Sequence, residues 1–134
     1  MVVRRLGHLV FHIYAHRAET PPDRWIGLVR EHDDLGAGAW SLAQMPRPPA
    51  YRLESFPEVL GLMRALRLPG VLPAMVAADD PTLRPLFPGR APMHMNLYLC
   101  FHETRRHDPL VRAAADWVSA AYEAAANGAT PTQP

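Results

Sequence analysis

Residues 93–128, MHMNLYLCFHETRRHDPLVRAAADWVSAAYEAAANG, constrain the fold more than any other stretch of this chain. Met93, Met95, Leu97, Leu99 and Phe101 alternate with His94, Asn96, Tyr98, Cys100 and His102, the period-two pattern of a half-buried strand. A charged corner, Glu103-Thr104-Arg105-Arg106-His107, follows. Asp108 is a helix-capping residue, and Pro109 suits a first helical position because it has no N–H to satisfy. Leu110, Val111, Ala114, Val118, Ala121, Tyr122 and Ala125 then fall close to one helical stripe, and Asn127-Gly128 is a stop signal. The chain therefore closes as strand, corner and helix.

The rest reads as strands alternating with helices, which argues for an α/β sheet. Leu9, Phe11, Ile13 and Ala15 alternate with histidines and Tyr14, giving a first strand that Thr20-Pro21-Pro22-Asp23 breaks. Residues 25–29 form a short apolar strand candidate. Residues 30–49 look loop-like because of Gly36, Gly38 and Pro46-Arg47-Pro48-Pro49, with a short helical turn at 40–44. Residues 51–54 should form a strand leading into the best helix start in the chain. There Ser55 and Glu58 make a capping-box pair, Pro57 fits the first turn, and Phe56, Val59, Leu60, Met63 and Leu66 share one face. A strand at 68–72, a short helix at 73–78 and an edge strand at 83–87 follow. Residues 127–134 are expected as a disordered tail.

At 134 residues the chain supports one domain of soluble composition, 49% hydrophobic and 20% charged. Its net charge of +1 gives no electrostatic case for direct nucleic-acid binding, which requires a basic stripe. All 14 basic residues are Arg, which with 15 Pro and many Ala indicates a GC-rich coding bias. Cys100 is the single cysteine, so an internal disulfide is excluded. Its position in a strand pattern suggests a buried, inert thiol. Arg4-Arg5 before an apolar stretch resembles a signal peptide superficially, but His8, His12 and His16 interrupt that stretch. No segment reaches the roughly 18 apolar residues of a membrane span. A cytoplasmic protein without membrane contact is the expectation.

Several motifs together resemble the effector-binding domain of LysR-type bacterial transcription regulators. The family's final strand ends in Leu-Tyr-x-x-x-His and leads through an Arg-containing corner to a helix of Val-Arg-Ala-x-x-x-Trp/Phe type. The matching residues here are Leu97, Tyr98, His102, Arg105, Arg106, Val111, Arg112, Ala113 and Trp117. Ser55-Phe56-Pro57-Glu58-Val59-Leu60 and Val71-Leu72-Pro73 fall where the family has a capped helix and a strand ending in Leu-Pro. The stretches 80–86 and 5–15 also have its look. The resemblance runs from about Arg4 to Trp117 and implies an α/β fold: the second lobe of a periplasmic-binding-protein-like two-lobe effector domain. With it would come the return strand and terminal helix of the otherwise missing first lobe. Residues 1–126 would thus be a partial effector domain, without the helix-turn-helix DNA reader. One departure is Ala65-Leu66-Arg67-Leu68 where the family commonly has Ala-Gly-x-Gly, which suggests a longer or differently packed helix end.

The resemblance also implies an effector site at Glu54, Ser55 and Phe56, with Val71 and Leu72 opposite. A helix N-terminus offers free N–H groups and partial positive charge, suited to a carboxylate effector. The competing reading is that Ser55 only caps its helix and Phe56 only staples it. The histidines suggest metal, but i to i+4 along a strand spans about 13 Å, too far for two imidazoles to reach one zinc at about 2.1 Å; otherwise His8, His12, His16, His94 and His102 read as polar residues on a solvated face. Asp33-Asp34 and Asp79-Asp80 read as turn or capping residues. No nucleophile motif, phosphate loop or Cys-x-x-Cys occurs. No catalytic residue, cofactor or metal site is expected, and no enzyme. The resulting expectation is a ligand-sensing, oligomerising regulator fragment that forms homo-oligomers or mixed dimers with a full-length regulator. Such a fragment would reach DNA only through a missing domain. The rivals are a pure interaction module acting through mixed dimers, and a small His-based metal-binding protein. In the fragment reading, the terminal helix projects with few long-range contacts or folds back onto the second lobe or another subunit.

Overall fold

The alternation around Phe11 and Ile13 extends into one long strand, β1 (Val2–His16), in the computed structural model, which describes residues 1–17 and 23–126. Two compact units divide the chain: Leu9–Met95, and Met1–His8 together with Asn96–Pro134. The Leu9–Met95 unit contains the later part of β1, then β2 (Ile26–Leu28), α1 (Gly36–Gln44), β3 (Tyr51–Leu53), α2 (Phe56–Leu66), β4 (Gly70–Pro73), α3 (Ala74–Ala77) and β5 (Leu83–Pro85). Strand order is β3-β2-β4-β1-β5. β2 runs parallel to both β3 and β4, while β1 is antiparallel to β4 and β5. The mixed α/β architecture expected from the sequence is present. β6 (Met93–Phe101) pairs with β1, and, like β1, passes through both units.

The core of the Leu9–Met95 unit is made by Phe11 and Ile13 of β1, Ile26 and Leu28 of β2, Val59 and Met63 of α2, and Val71 and Leu72 of β4. Successive residues Val71 and Leu72 point to opposite faces yet both are fully buried, so the sheet is covered on both sides there. Gly70 makes the packing of α2 possible: a Cβ there would come 2.6 Å from the Met63 sulfur. Trp25 is fully buried, and its indole N–H donates to the Arg47 carbonyl at 2.7 Å.

Where 30–49 reads as loop in the sequence, the structure has a 3-10 turn (Arg30–His32) and the nine-residue α1. Glycine is a poor helix former, so Gly36 and Gly38 hide this helix from propensity. Tertiary contact decides instead. Gly36 adopts φ +62° beside Met95, a Cβ on Gly38 would overlap the His32 carbonyl, and Ser41 donates to Gly38 O at 2.7 Å. The leucines of 65–68 do not lengthen α2. It closes at Leu66, with Arg67 in the left-handed region (φ 58°, ψ 34°) and its N–H bonded to Met63 O at 2.8 Å. Two further expectations need correction. Cys100 is exposed, because it shares the solvent face of β6 with His94, Asn96 and Tyr98. His16 is buried, because β1 is an interior strand between β4 and β5.

In the second unit, α4 (Pro109–Ala126) begins at Asp108, whose Oδ1 accepts the Leu110 N–H at 2.9 Å. That bond comes first, and the Arg105 guanidinium at 3.1 Å next, in holding the Asp108 carboxyl below its ordinary range. The packed ridge of α4 is Val111, Ala115, Val118 and Tyr122, an i, i+4, i+7, i+11 row. Leu110, at 79% exposure, and Ala114, both in the stripe read from sequence, therefore fall outside the packed ridge, and Ala115 is its buried centre. Tyr122 sets this phase. Its hydroxyl donates to the His8 carbonyl, and its ring sits so close to Gly7 (φ +149°) that a Cβ there would lie 2.7 Å from Cε1. Arg4 pairs with Asp116 at 3.2 Å, and Arg5 donates to Asn96 at 3.1 Å. The helix thus packs within its own unit and does not project freely. The expected break at Thr20-Pro21-Pro22 and the tail at 127–134 lie outside the described residues.

Candidate functional site

Parallel strands end on the same edge of a sheet, and in open α/β sheets ligands bind in crevices beyond those carboxyl ends. Leu28 of β2 is level with Leu53 of β3, and the pairing of Ile26 with both Tyr51 and Gly70 brings β4 into the same alignment. Three chain segments therefore leave this edge together: the turn at Arg30–His32, the start of α2 at Glu54-Ser55-Phe56, and Pro73 leading into α3. The expected residues Glu54, Ser55, Phe56, Val71 and Leu72 belong to two of these neighbouring strand ends.

Ser55 caps α2. Its Oγ accepts the Glu58 N–H at 3.4 Å, and the Glu58 carboxylate accepts the N–H groups of Glu54 and Ser55, each at 3.2 Å. All three bonds are long, so the box is loosely closed. Pro57 has no N–H, which leaves the Phe56 amide and the Ser55 hydroxyl proton as the donors this turn can give a ligand. Phe56 packs on Phe11 with ring centroids 5.5 Å apart. It therefore serves as an apolar wall anchored to the core. Val71 and Leu72 have fully buried side chains. They can shape the floor and offer backbone groups, but no side-chain surface.

The sequence reading missed the second rim of this edge. Arg52 donates to Leu28 O at 3.2 Å and to Asp33 Oδ1 at 2.7 Å, and Val29 N–H bonds Leu53 O at 3.0 Å. These bonds tie the end of β2 and the following turn to β3. The available signal was Arg52 itself, a charge between two apolar residues of a short strand, facing an acidic pair nineteen residues upstream. The electrostatics are mixed. The α2 N-terminus carries partial positive charge, but the Glu58 carboxylate already occupies part of it.

Two other polar clusters lie in the same unit. Asp80 accepts from Thr82 Oγ1 at 2.6 Å, Thr82 N–H at 3.0 Å and Arg64 Nε at 3.1 Å, and these contacts hold its carboxyl down to about 2. The pairing fastens the last turn of α2 to the loop before β5, a structural role. His12 is held below the ordinary histidine value, first by burial and then by repulsion from His94. Among the described residues no three His, Cys, Asp or Glu side chains come together as metal ligands. None of the described helices is long and apolar enough to cross a membrane.

No protein-family model and no curated protein matches the sequence. Solved structures do match. A protein assigned as a transcriptional regulator from Vibrio parahaemolyticus aligns at TM-score 0.62 and 14% identity, over 95% of this chain and 67% of that one. CbnR, a LysR family transcriptional regulator, aligns at TM-score 0.54 and 15% identity, over 85% and 45%. The regulatory domain of MexT, a transcriptional activator in Pseudomonas aeruginosa, aligns at TM-score 0.51 and 17% identity, over 88% and 64%. The chain spans less than half of CbnR and about two thirds of the other two. Its fold is accordingly one found in LysR-type transcription regulators and in the regulatory domain of a transcriptional activator.

Proposed function

We propose that the chain is a ligand-sensing part of a LysR-type transcription regulator and works in the cytoplasm without catalysing a reaction. Leu9–Met95 is read as the second lobe of a two-lobe effector domain. Met1–His8 and the segment from Asn96 onward are read as the strands and helix belonging to the first lobe. The observation that carries this reading is the shared carboxyl edge of β2, β3 and β4, where Phe56 packs on Phe11, the residue of β1 that pairs with Pro73 at the end of β4. A small-molecule effector would bind there. Ser55 would donate its hydroxyl proton, Phe56 would supply an apolar wall, and the end of β4 would provide the floor. Binding one arrangement of the lobes better than another is what converts occupancy into signal.

Self-association and DNA contact through a separate reader complete this reading. Titrating the isotopically labelled chain with a panel of small aromatic and dicarboxylic acids tests the site. Saturable amide shifts at Glu54, Ser55 and Phe56, weakened by Ser55→Ala, are expected. Ligands that saturate the protein without moving those amides would refute the site. Light scattering should find more than one copy per particle. Tight, sequence-specific promoter binding by this chain alone would contradict the assignment of DNA reading to another domain.

A further inference from the structure

A cleft of about 660 Å³ opens on the Leu9–Met95 unit, lined by Asp23, Ala43, Met45, Leu86, Phe87 and Arg90. It is separate from the shared strand edge. α1 carries the chain from the carboxyl end of β2 back toward the amino end of β3, so its last turn, at Ala43 and Gln44, lies away from Ser55 and Phe56. The volume is within the range of small-molecule sites, roughly 300–1,000 Å³. Met45, Leu86 and Phe87 give it an apolar bed.

Arg90 sets its chemistry. The guanidinium carbon lies 3.9 Å from the Phe87 ring centroid, and Nη1 donates to the Gln44 carbonyl at 2.9 Å. Stacking on one face and a bond at one corner fix the plane of the fork before any ligand arrives, although the side chain is exposed. The remaining N–H donors of the fork have no acceptor among the described residues. A planar fork with free donors, lining a cleft that has an apolar bed, matches a carboxylate, which it can bind through two parallel hydrogen bonds. Asp23 supplies the opposing charge at the rim, with Arg47 3.9 Å away as its partner. With Asp23 already paired, Arg90 is the one cation among the described residues that line the cleft, which suits a single carboxylate.

We propose that this cleft is a second small-molecule site, taking a monocarboxylic acid with an apolar body, the carboxylate on Arg90 and the body on Met45, Leu86 and Phe87. It stands independently of the strand-edge site. The test is a titration of the full chain, labelled at its methionine methyl groups, with phenylacetate and with phenylacetamide as the neutral control. Phenylacetate should give a saturable shift of the Met45 methyl, with the amide binding about tenfold or more weakly, because a charge-assisted pair is lost. Arg90→Gln should weaken phenylacetate by a similar factor, and Ala43→Trp, which fills the cleft, should abolish the response. Ser55→Ala should leave it unchanged, which separates this site from the strand edge. No saturable shift at Met45, equal affinity for acid and amide, or undiminished binding in Ala43→Trp would each overturn the proposal. If Arg90→Gln fails to fold, Ala43→Trp and the acid-to-amide comparison decide.

Discussion

In the Leu9–Met95 unit, Phe11, Ile26, Val59, Met63, Val71 and Leu72 are each at most 1% exposed. In the other unit Ala115 is the one hydrophobic residue, among those described, that reaches the buried class. The first unit has a layered core, where each large side chain contributes roughly 1.5–3 kcal/mol on burial. The second depends on a few directed ties: Tyr122 to the His8 carbonyl, Arg4 to Asp116, Arg5 to Asn96, and the close seat of a ring on Gly7. Exposed ion pairs and single hydrogen bonds each contribute about 1 kcal/mol or less. One region is therefore stable through burial, and the other is ordered through geometry. Regions of the second kind open first.

The largest effect that can break this comparison is a cavity. Leu72→Ala should cost about 2–5 kcal/mol in chemical denaturation, whereas Val118→Ala, from a half-buried site on α4, should cost well under half as much. Equal losses would show that both units share one kind of stability. Gly7→Ala comes next. It imposes a strained φ and drives a methyl into the Tyr122 ring, a local loss of about 1–3 kcal/mol. Hydrogen exchange should then quicken across α4 and leave α2 unchanged; matching acceleration in both helices would mean the units unfold as one.

Two smaller effects sharpen the picture within the better-packed unit. Arg67→Gly should stabilise it by about 1 kcal/mol, since the left-handed C-terminal position of α2 favours glycine. A loss on thermal denaturation would show that the Arg67 side chain outweighs its backbone strain. Glu58→Gln should cost about 0.5 kcal/mol at the α2 start while strengthening any carboxylate ligand at Ser55, because a competing negative charge is gone. Weaker binding would point to a cationic or neutral effector.

The smallest expected effect is that of pH. The folded His12 holds its proton less well than the unfolded chain does, so its contribution to stability is present above its ordinary value of 6.5 and declines as pH falls below it. His12→Asn should flatten that decline in stability curves recorded from pH 7 to 5. Asp80, held down to about 2, acts in the same direction at lower pH. The stability linked to it is present above 3.8 and lost as pH falls toward 2.

How much of this was legible in the residues depended on whether neighbours in sequence were enough to decide. The capping box of Ser55 and Glu58, the Asp108 cap and the alternation of β6 are local, and all appear where the sequence placed them. The helix α1 was not legible, because two glycines read as loop until close contact with His32 and Met95 makes a missing Cβ an advantage. The candidate site was half legible. Ser55 and Phe56 stood out by their motif, but the Arg52–Asp33 pair bridges separate elements and becomes visible only when β2 and β3 lie side by side.

Element type, helix starts and the α/β class were thus determined by the sequence itself, since they follow from side-chain period and from backbone groups satisfied within a turn. The tertiary structure alone decided which histidine is buried, which face of α4 is packed, where α1 forms and how Arg90 is held over Phe87. Each of those depends on the space left by residues distant in the chain, and one-dimensional order does not specify that space.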